Sequence, residues 1–138
     1  MKLRTIITLF ILICATTGWS QNQKTIVQKG IEVKKFWEQN LADGDKTPYL
    51  EKEEHYNAKG ELIEIKEFSD KGRKLKYWFK YKYNNEGELT EEKTLGSKGE
   101  QIVRMVYRYE NGLRVERLSY DAKDRLTQKK TYEYQFRK

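Results

Sequence analysis

From Lys74 to Tyr83 the chain alternates with period two. Leu75, Tyr77, Phe79, Tyr81 and Tyr83 point one way, and Lys74, Lys76, Trp78, Lys80 and Lys82 the other. Such alternation builds a β-strand with one largely apolar face and one cationic face. Every segment after about Tyr49 varies this pattern, cut at regular intervals by one turn. The turn recurs as Asn57-Ala-Lys-Gly60, Ser69-Asp-Lys-Gly72, Asn84-Asn-Glu-Gly87 and Gly96-Ser-Lys-Gly99, then as Glu110-Asn-Gly112 and Asp121-Ala-Lys-Asp124. Asn, Ser or Asp at the first position can cap the turn, and Gly at the last takes a positive φ without a Cβ clash. This is the signature of a type I turn closed by a G1 bulge. The prediction is an all-β chain: a sequential antiparallel meander of repeated β-hairpins, with eight or nine strands.

A longer period overlies the turns. Tyr56, Tyr83, Tyr109 and Tyr134 recur at intervals of 27, 26 and 25, so the unit is two strands and the chain is a quasi-one-dimensional array. The repeats are clear over 49–136, with a weaker copy over 24–38, where Gly30–Phe36 matches Gly112–Leu118 in apolar spacing. A helix over Ile31–Leu41 competes with a strand there. The odd spacings break parity, since a shift of one residue flips every side chain. Either bulges correct the frame or the two ends carry their apolar residues on different faces.

Three-residue loops also predict a register. Tyr83 faces Leu89, Phe79 faces Lys93, and Leu89 faces Tyr107, while Lys80, Glu92 and Arg104 form an exposed charge row. Such a row explains the charged residues without any ligand.

The N-terminus alters the composition. Lys2 and Arg4 precede the apolar run Ile6–Cys14, and Gly18-Trp19-Ser20 offers small residues before Gln21. That is a signal peptide over 1–20, too short to span a bilayer. The expectation is export to a periplasmic or extracellular location, with no transmembrane helix in the mature chain. Ile13 is large where a lipobox needs a small residue, so lipidation at Cys14 is not expected. Residues 21–138 form one β-repeat domain without cysteine, hence without a disulfide. Losing Lys2 and Arg4 lowers the formal charge of +7 by two.

At Tyr56-Asn-Ala-Lys-Gly-Glu-Leu62, Tyr83-Asn-Asn-Glu-Gly-Glu-Leu-Thr90 and Tyr120-Asp-Ala-Lys-Asp-Arg-Leu-Thr127 the chain resembles the YD (Rhs-type) repeat. That family's core is Tyr-Asp, two variable residues, then Gly-Arg-Leu; here only Tyr120 carries the Tyr-Asp pair. The resemblance covers about Tyr49–Phe136 and implies extracytoplasmic β-hairpin arrays, some of which bind carbohydrate and some of which form shells around toxins. This chain is too short for a shell. Tyr109-Glu-Asn-Gly-Leu113 is also similar to MORN-type repeats, known in some antitoxin families.

No reaction is legible. His55 is the sole histidine, with no metal-ligand spacing around it. Ser69, Ser97 and Ser119 lie at or beside turns with no nucleophile motif. Glu51, Glu53, Glu54, Glu64, Glu91 and Glu92 are plentiful enough for two to stand at glycosidase separation by chance. Every glycine of the repeat region belongs to a turn, which leaves no phosphate loop. No catalytic residue, cofactor or metal is therefore expected, and the chain reads as a non-enzymatic binding or scaffold module. An inhibitor or immunity-type protein for an exported partner is the alternative. Export argues against nucleic acid, and leaves a protein or an anionic glycan as partner. The expected binding face is Tyr77, Tyr81, Tyr83, Tyr107 and Tyr109, whose rings carry apolar area and a polar hydroxyl. The competing reading makes these tyrosines a core, covered by Ile31, Phe36 and Trp37.

Overall fold

A computed structural model of the chain describes residues 16–42, 44 and 47–137, with side chains from residue 22 onward. The apolar run of the signal segment and Cys14 lie outside the described residues. One helix, α1 (Thr16–Lys29), leads into eight strands: β1 (Val33–Glu38), β2 (Tyr49–Tyr56), β3 (Leu62–Ser69), β4 (Lys74–Tyr83), β5 (Leu89–Leu95), β6 (Gln101–Glu110), β7 (Leu113–Tyr120) and β8 (Leu126–Thr131). They form a single antiparallel sheet in sequence order, as short turns require of consecutive strands. The Ile31–Leu41 region holds a strand, not the competing helix.

The sequence reading gave α1 no place beyond the signal segment, yet it runs on to Lys29. Its stop is written locally. Gly30 takes φ +61°, its N–H donates to Val27 O at 3.1 Å, and Ile31 N–H donates to Ile26 O at 3.0 Å. That pair of bonds is a Schellman ending, and Lys29 places a cation at the helix C-terminus. Ser20 and Gln21 fall inside α1, but the residues that fasten it to the sheet, Gln23, Ile26 and Val27, lie beyond Ser20.

Four turns have the expected form. Gly60, Gly87 and Gly99 take φ of +74°, +79° and +81°, and Asp124 takes +60° in the same role. Asn57 shows how the loop is held: its Oδ1 accepts from the N–H of Lys59 and of Glu61, each at 3.0 Å, and its Nδ2 donates to Glu61 Oε2 at 2.7 Å. Asn84 and Glu88 repeat the clamp, and Asp121 and Arg125 repeat it with an ion pair in place of the amide–carboxylate bond. At Gly96 the Glu100 carboxylate occupies the space a side chain would need, and it accepts from Lys98 N–H at 2.9 Å. The other two turns differ. Asn111 and Gly112 both have positive φ (53° and 76°), as do Asp70, Lys71 and Gly72, so these are mirror-image turns matched to strand twist.

The larger correction is register. Each hairpin carries a bulge that leaves one residue unpaired on its second strand: Glu51, Ile63, Lys76, Thr90, Ile102, Val115 and Thr127. Tyr83 does face Leu89, but beyond Thr90 every partner moves by one. Phe79 faces Thr94, Lys80 faces Lys93, and Tyr81 faces Glu92. Leu89 is not paired with Tyr107, whose neighbour on β7 is Arg117. The bulges also restore parity. Tyr56 and Tyr83 line one cavity, and Arg114 reaches Tyr107, Tyr109 and Tyr132, so the tyrosines share a face despite their odd spacing.

The sheet is one layer. Among the described residues only Ile26 and Tyr107, 4% and 9% exposed, are buried apolar side chains. A sheet without a second layer has no conventional core, and its cohesion must come from cross-strand pairs of about 0.2–1 kcal/mol each.

Candidate recognition surface

Tyr77, Tyr81 and Tyr83 project from β4, and Tyr107 and Tyr109 from β6. β5 lies between them and contributes Glu92 to the same face. All five predicted residues are therefore brought together on next-nearest strands, about 10 Å apart. Of the cover that the competing reading drew from Ile31, Phe36 and Trp37, the two aromatic residues do not lie over this face. Phe36 and Trp37 belong to β1, an edge strand of the same sheet, and Trp37 is 61% exposed. Nor are the tyrosines uniformly exposed. Tyr77 is 36% exposed and Tyr107 only 9%, while Tyr81, Tyr83 and Tyr109 are half-buried against their neighbours.

The hydroxyls are anchored. Tyr83 OH donates to Leu62 O at 2.9 Å, and Tyr107 OH donates to Glu92 Oε2 at 3.0 Å. Arg114 donates from Nη2 to Tyr109 OH at 3.0 Å, with its guanidinium 4.3 Å from the centre of the Tyr107 ring. Burial, aided by the Glu92 charge, pushes the phenols of Tyr81 and Tyr107 well above their ordinary range; burial and Glu61 do the same for Tyr83. All three stay neutral donors at physiological pH. Glu92 and Arg114 are the polar members that the sequence reading missed. The unbulged register had set Glu92 on the opposite face.

One end of this face is covered. Ile26 of α1 meets Tyr56, Leu62 and Tyr83 around a cavity of about 170 Å³, and Gln23 Nε2 donates to Lys59 O at 2.9 Å.

The opposite face is a lattice of ions. Glu53 accepts from Lys35 (3.2 Å), Glu91 pairs with Lys82 (2.9 Å) and Arg104 (3.6 Å), and Glu116 pairs with Lys129 and Arg108. The row expected from Lys80, Glu92 and Arg104 does not exist, because Glu92 is on the tyrosine face and Lys93 stands in its place. Trp78 sits among these charges with the Lys80 and Lys66 ammoniums at 3.9 and 5.4 Å from its ring centre.

His55 contacts Glu53 at 3.4 Å. Among the described residues no group of three His, Cys, Asp or Glu is arranged to hold a metal. Among them, too, no helix is long and apolar enough to cross a membrane. Compared with known proteins, the chain matches no family model and no curated protein.

Proposed function

We propose that this chain is an exported, non-catalytic recognition module, a short array of YD-like hairpins whose tyrosine face contacts a glycan or protein partner. The observation that supports this is the missing second layer. Rings from β4 and β6 share a face over which no second sheet lies: Tyr77 is open to solvent and Tyr81, Tyr83 and Tyr109 are half-buried, while Arg114 covers Tyr107 and α1 covers the Tyr83 end. Arg114 and Glu92 supply directional donors and acceptors on this face, the mixture of ring area and fixed polar groups that recognition surfaces use. Export rests on the Met1–Ser20 pattern alone.

The test is binding of the full mature chain to a glycan array and to proteins of its own cell envelope, using Tyr77→Ala and Tyr109→Ala. Both positions carry less of the packing than Tyr107. The expected result is lost binding with an unchanged circular dichroism spectrum. Two folded variants that bind as well as the parent would remove the tyrosine face from consideration.

A further inference from the structure

Opposite the tyrosines, one ladder of directly paired residues crosses the whole sheet: Val33, His55, Glu64, Lys80, Lys93, Arg104, Tyr120 and Leu126. Its centre departs from the pairing found at several charged positions of this face. Elsewhere cations stand opposite carboxylates: Lys35 opposite Glu53, Glu53 opposite Lys66, Lys82 opposite Glu91, and Arg108 opposite Glu116. Lys93 instead has Lys80 on one side and Arg104 on the other. Like charges directly opposite are destabilising, so this arrangement weakens the sheet unless something anionic lies across it.

The compensation inside the chain is shared: Glu64 stands opposite Lys80 but also lies 3.0 Å from the Lys66 ammonium. Glu91 is shared by Lys82, Arg104 and, at 3.9 Å, Lys93. Asp124 binds Arg104 at 2.8 Å and also accepts from Gln101 at 3.4 Å. The Lys80 ammonium lies 3.9 Å above the Trp78 ring, a contact that positions the charge without neutralising it. Departures from local consistency of this kind collect at functional sites.

We propose that Lys80, Lys93 and Arg104 are a binding site for a linear anionic polysaccharide, carboxylated or sulfated, lying across the strands. The three cations stand on consecutive strands and so repeat every ~4.8 Å, a spacing suited to regularly placed charges along an extended chain. Glu64 and Glu91 flank the row, so a planar anionic membrane would meet carboxylates as well as cations, whereas a narrow polymer can follow the ladder. Nucleic acid would add bases, and the rings beside the row are already engaged, while the exposed Trp37 lies on the edge strand β1, three strands from Lys80. Trp78 is occupied by Lys80 and Lys66, and Tyr120 by the Arg104 guanidinium at 4.0 Å. The site is independent of the tyrosine face and stands whether or not that face binds anything.

The experiment measures affinity of the full mature chain for polygalacturonate and dextran sulfate at graded salt, together with the thermal midpoint. Lys93→Gln is compared with Lys98→Gln, which removes the same charge from an exposed turn. Lys93→Gln should weaken binding to at least one polymer about fivefold, the scale of one partly exposed charge contact, and should raise the melting midpoint. Lys98→Gln should do neither. Equal weakening by both variants would reduce the effect to net charge and overturn the proposal. So would the absence of binding by the parent to both polymers, or displacement of the bound polymer by an equal charge of single-stranded DNA.

Discussion

Lys80 and Tyr81 are neighbours in sequence, and the surfaces they belong to are held together differently. On the tyrosine face, ring packing does most of the work. Tyr107 is almost fully covered, its hydroxyl is bonded to Glu92, and Arg114 lies on its ring. On the charged face no side chain is fully buried, and contacts run from ammonium or guanidinium to carboxylate over a sheet open to water. Area removed from water keeps its value in salt, whereas exposed ion pairs are screened. One sheet can thus have a face whose packing dominates stability and a face whose contribution depends on salt.

The sharpest test of that division is Tyr107→Ala. It removes the most buried ring of the sheet and its bond to Glu92, and should cost about 2–4 kcal/mol, in the range of core truncations. Urea unfolding would measure it. A loss below about 1 kcal/mol, the scale of an exposed pair, would erase the distinction between the faces.

Next in size is the cover that only the tyrosine face possesses. A Cβ on Gly60 would meet Val27 Cγ2 at 2.8 Å and Gln23 O at 2.9 Å, whereas one on Gly99 would meet nothing within 4 Å. Both residues hold positive φ, so alanine strains either turn by about 1–3 kcal/mol. Gly60→Ala must also lift α1 off the sheet. It should therefore destabilise by roughly 1 kcal/mol more than Gly99→Ala, with lost protection of the α1 amides in hydrogen exchange. Equal costs and an intact helix would show that α1 adds no cover of consequence.

How much of this was open to reading from sequence follows from the physics of each element. The turns were legible because Asn57, Asn84, Asp121 and the closing glycines act locally, through bonds to amides two and four residues away. The face of each tyrosine was legible along its own strand. The bulges were not. Thr90 looks like any strand residue, and only the ladder to β4 shows that it has no partner. The odd tyrosine intervals registered the missing residues without locating them. That single slip moved Glu92 to the tyrosine face and set Lys93 between two cations. The candidate tyrosines were therefore found in sequence, while Glu92, Arg114 and the cationic row required the sheet. The helix stop at Gly30, with Lys29 before it, was a readable signal overshadowed by the match of Gly30–Phe36 to a later strand.

On the charged face, Glu91→Gln probes the lattice. Its carboxylate serves Lys82, Lys93 and Arg104, so its loss leaves their mutual repulsion opposed chiefly by Asp124 at Arg104. The cost should be about 1 kcal/mol at low salt and should shrink toward zero at about 1 M salt, where the screening length falls to about 3 Å. A penalty that does not change with salt would mean that Glu91 acts by packing, as the tyrosines do.

The smallest effect is expected from Asp124→Asn, and its sign with pH is specific. Hydrogen bonds from Arg104 and then Gln101 hold the Asp124 carboxyl below its ordinary 3.8 in the folded chain. A carboxyl depressed on folding contributes stability that is fully present above its unfolded value and is lost as pH falls through the lower, folded one. Asparagine tolerates the positive φ of this turn, as Asn111 does at 53°, so the backbone is not the variable. The variant should therefore melt slightly below the parent at neutral pH, and the two curves should converge as the pH drops below about 4, the ordinary aspartate value. A gap that persists in acid would assign the loss to the turn itself. A gap that is absent at neutral pH would show that the Arg104 bond is matched by water, leaving Arg104 as available for an external anion as Lys80.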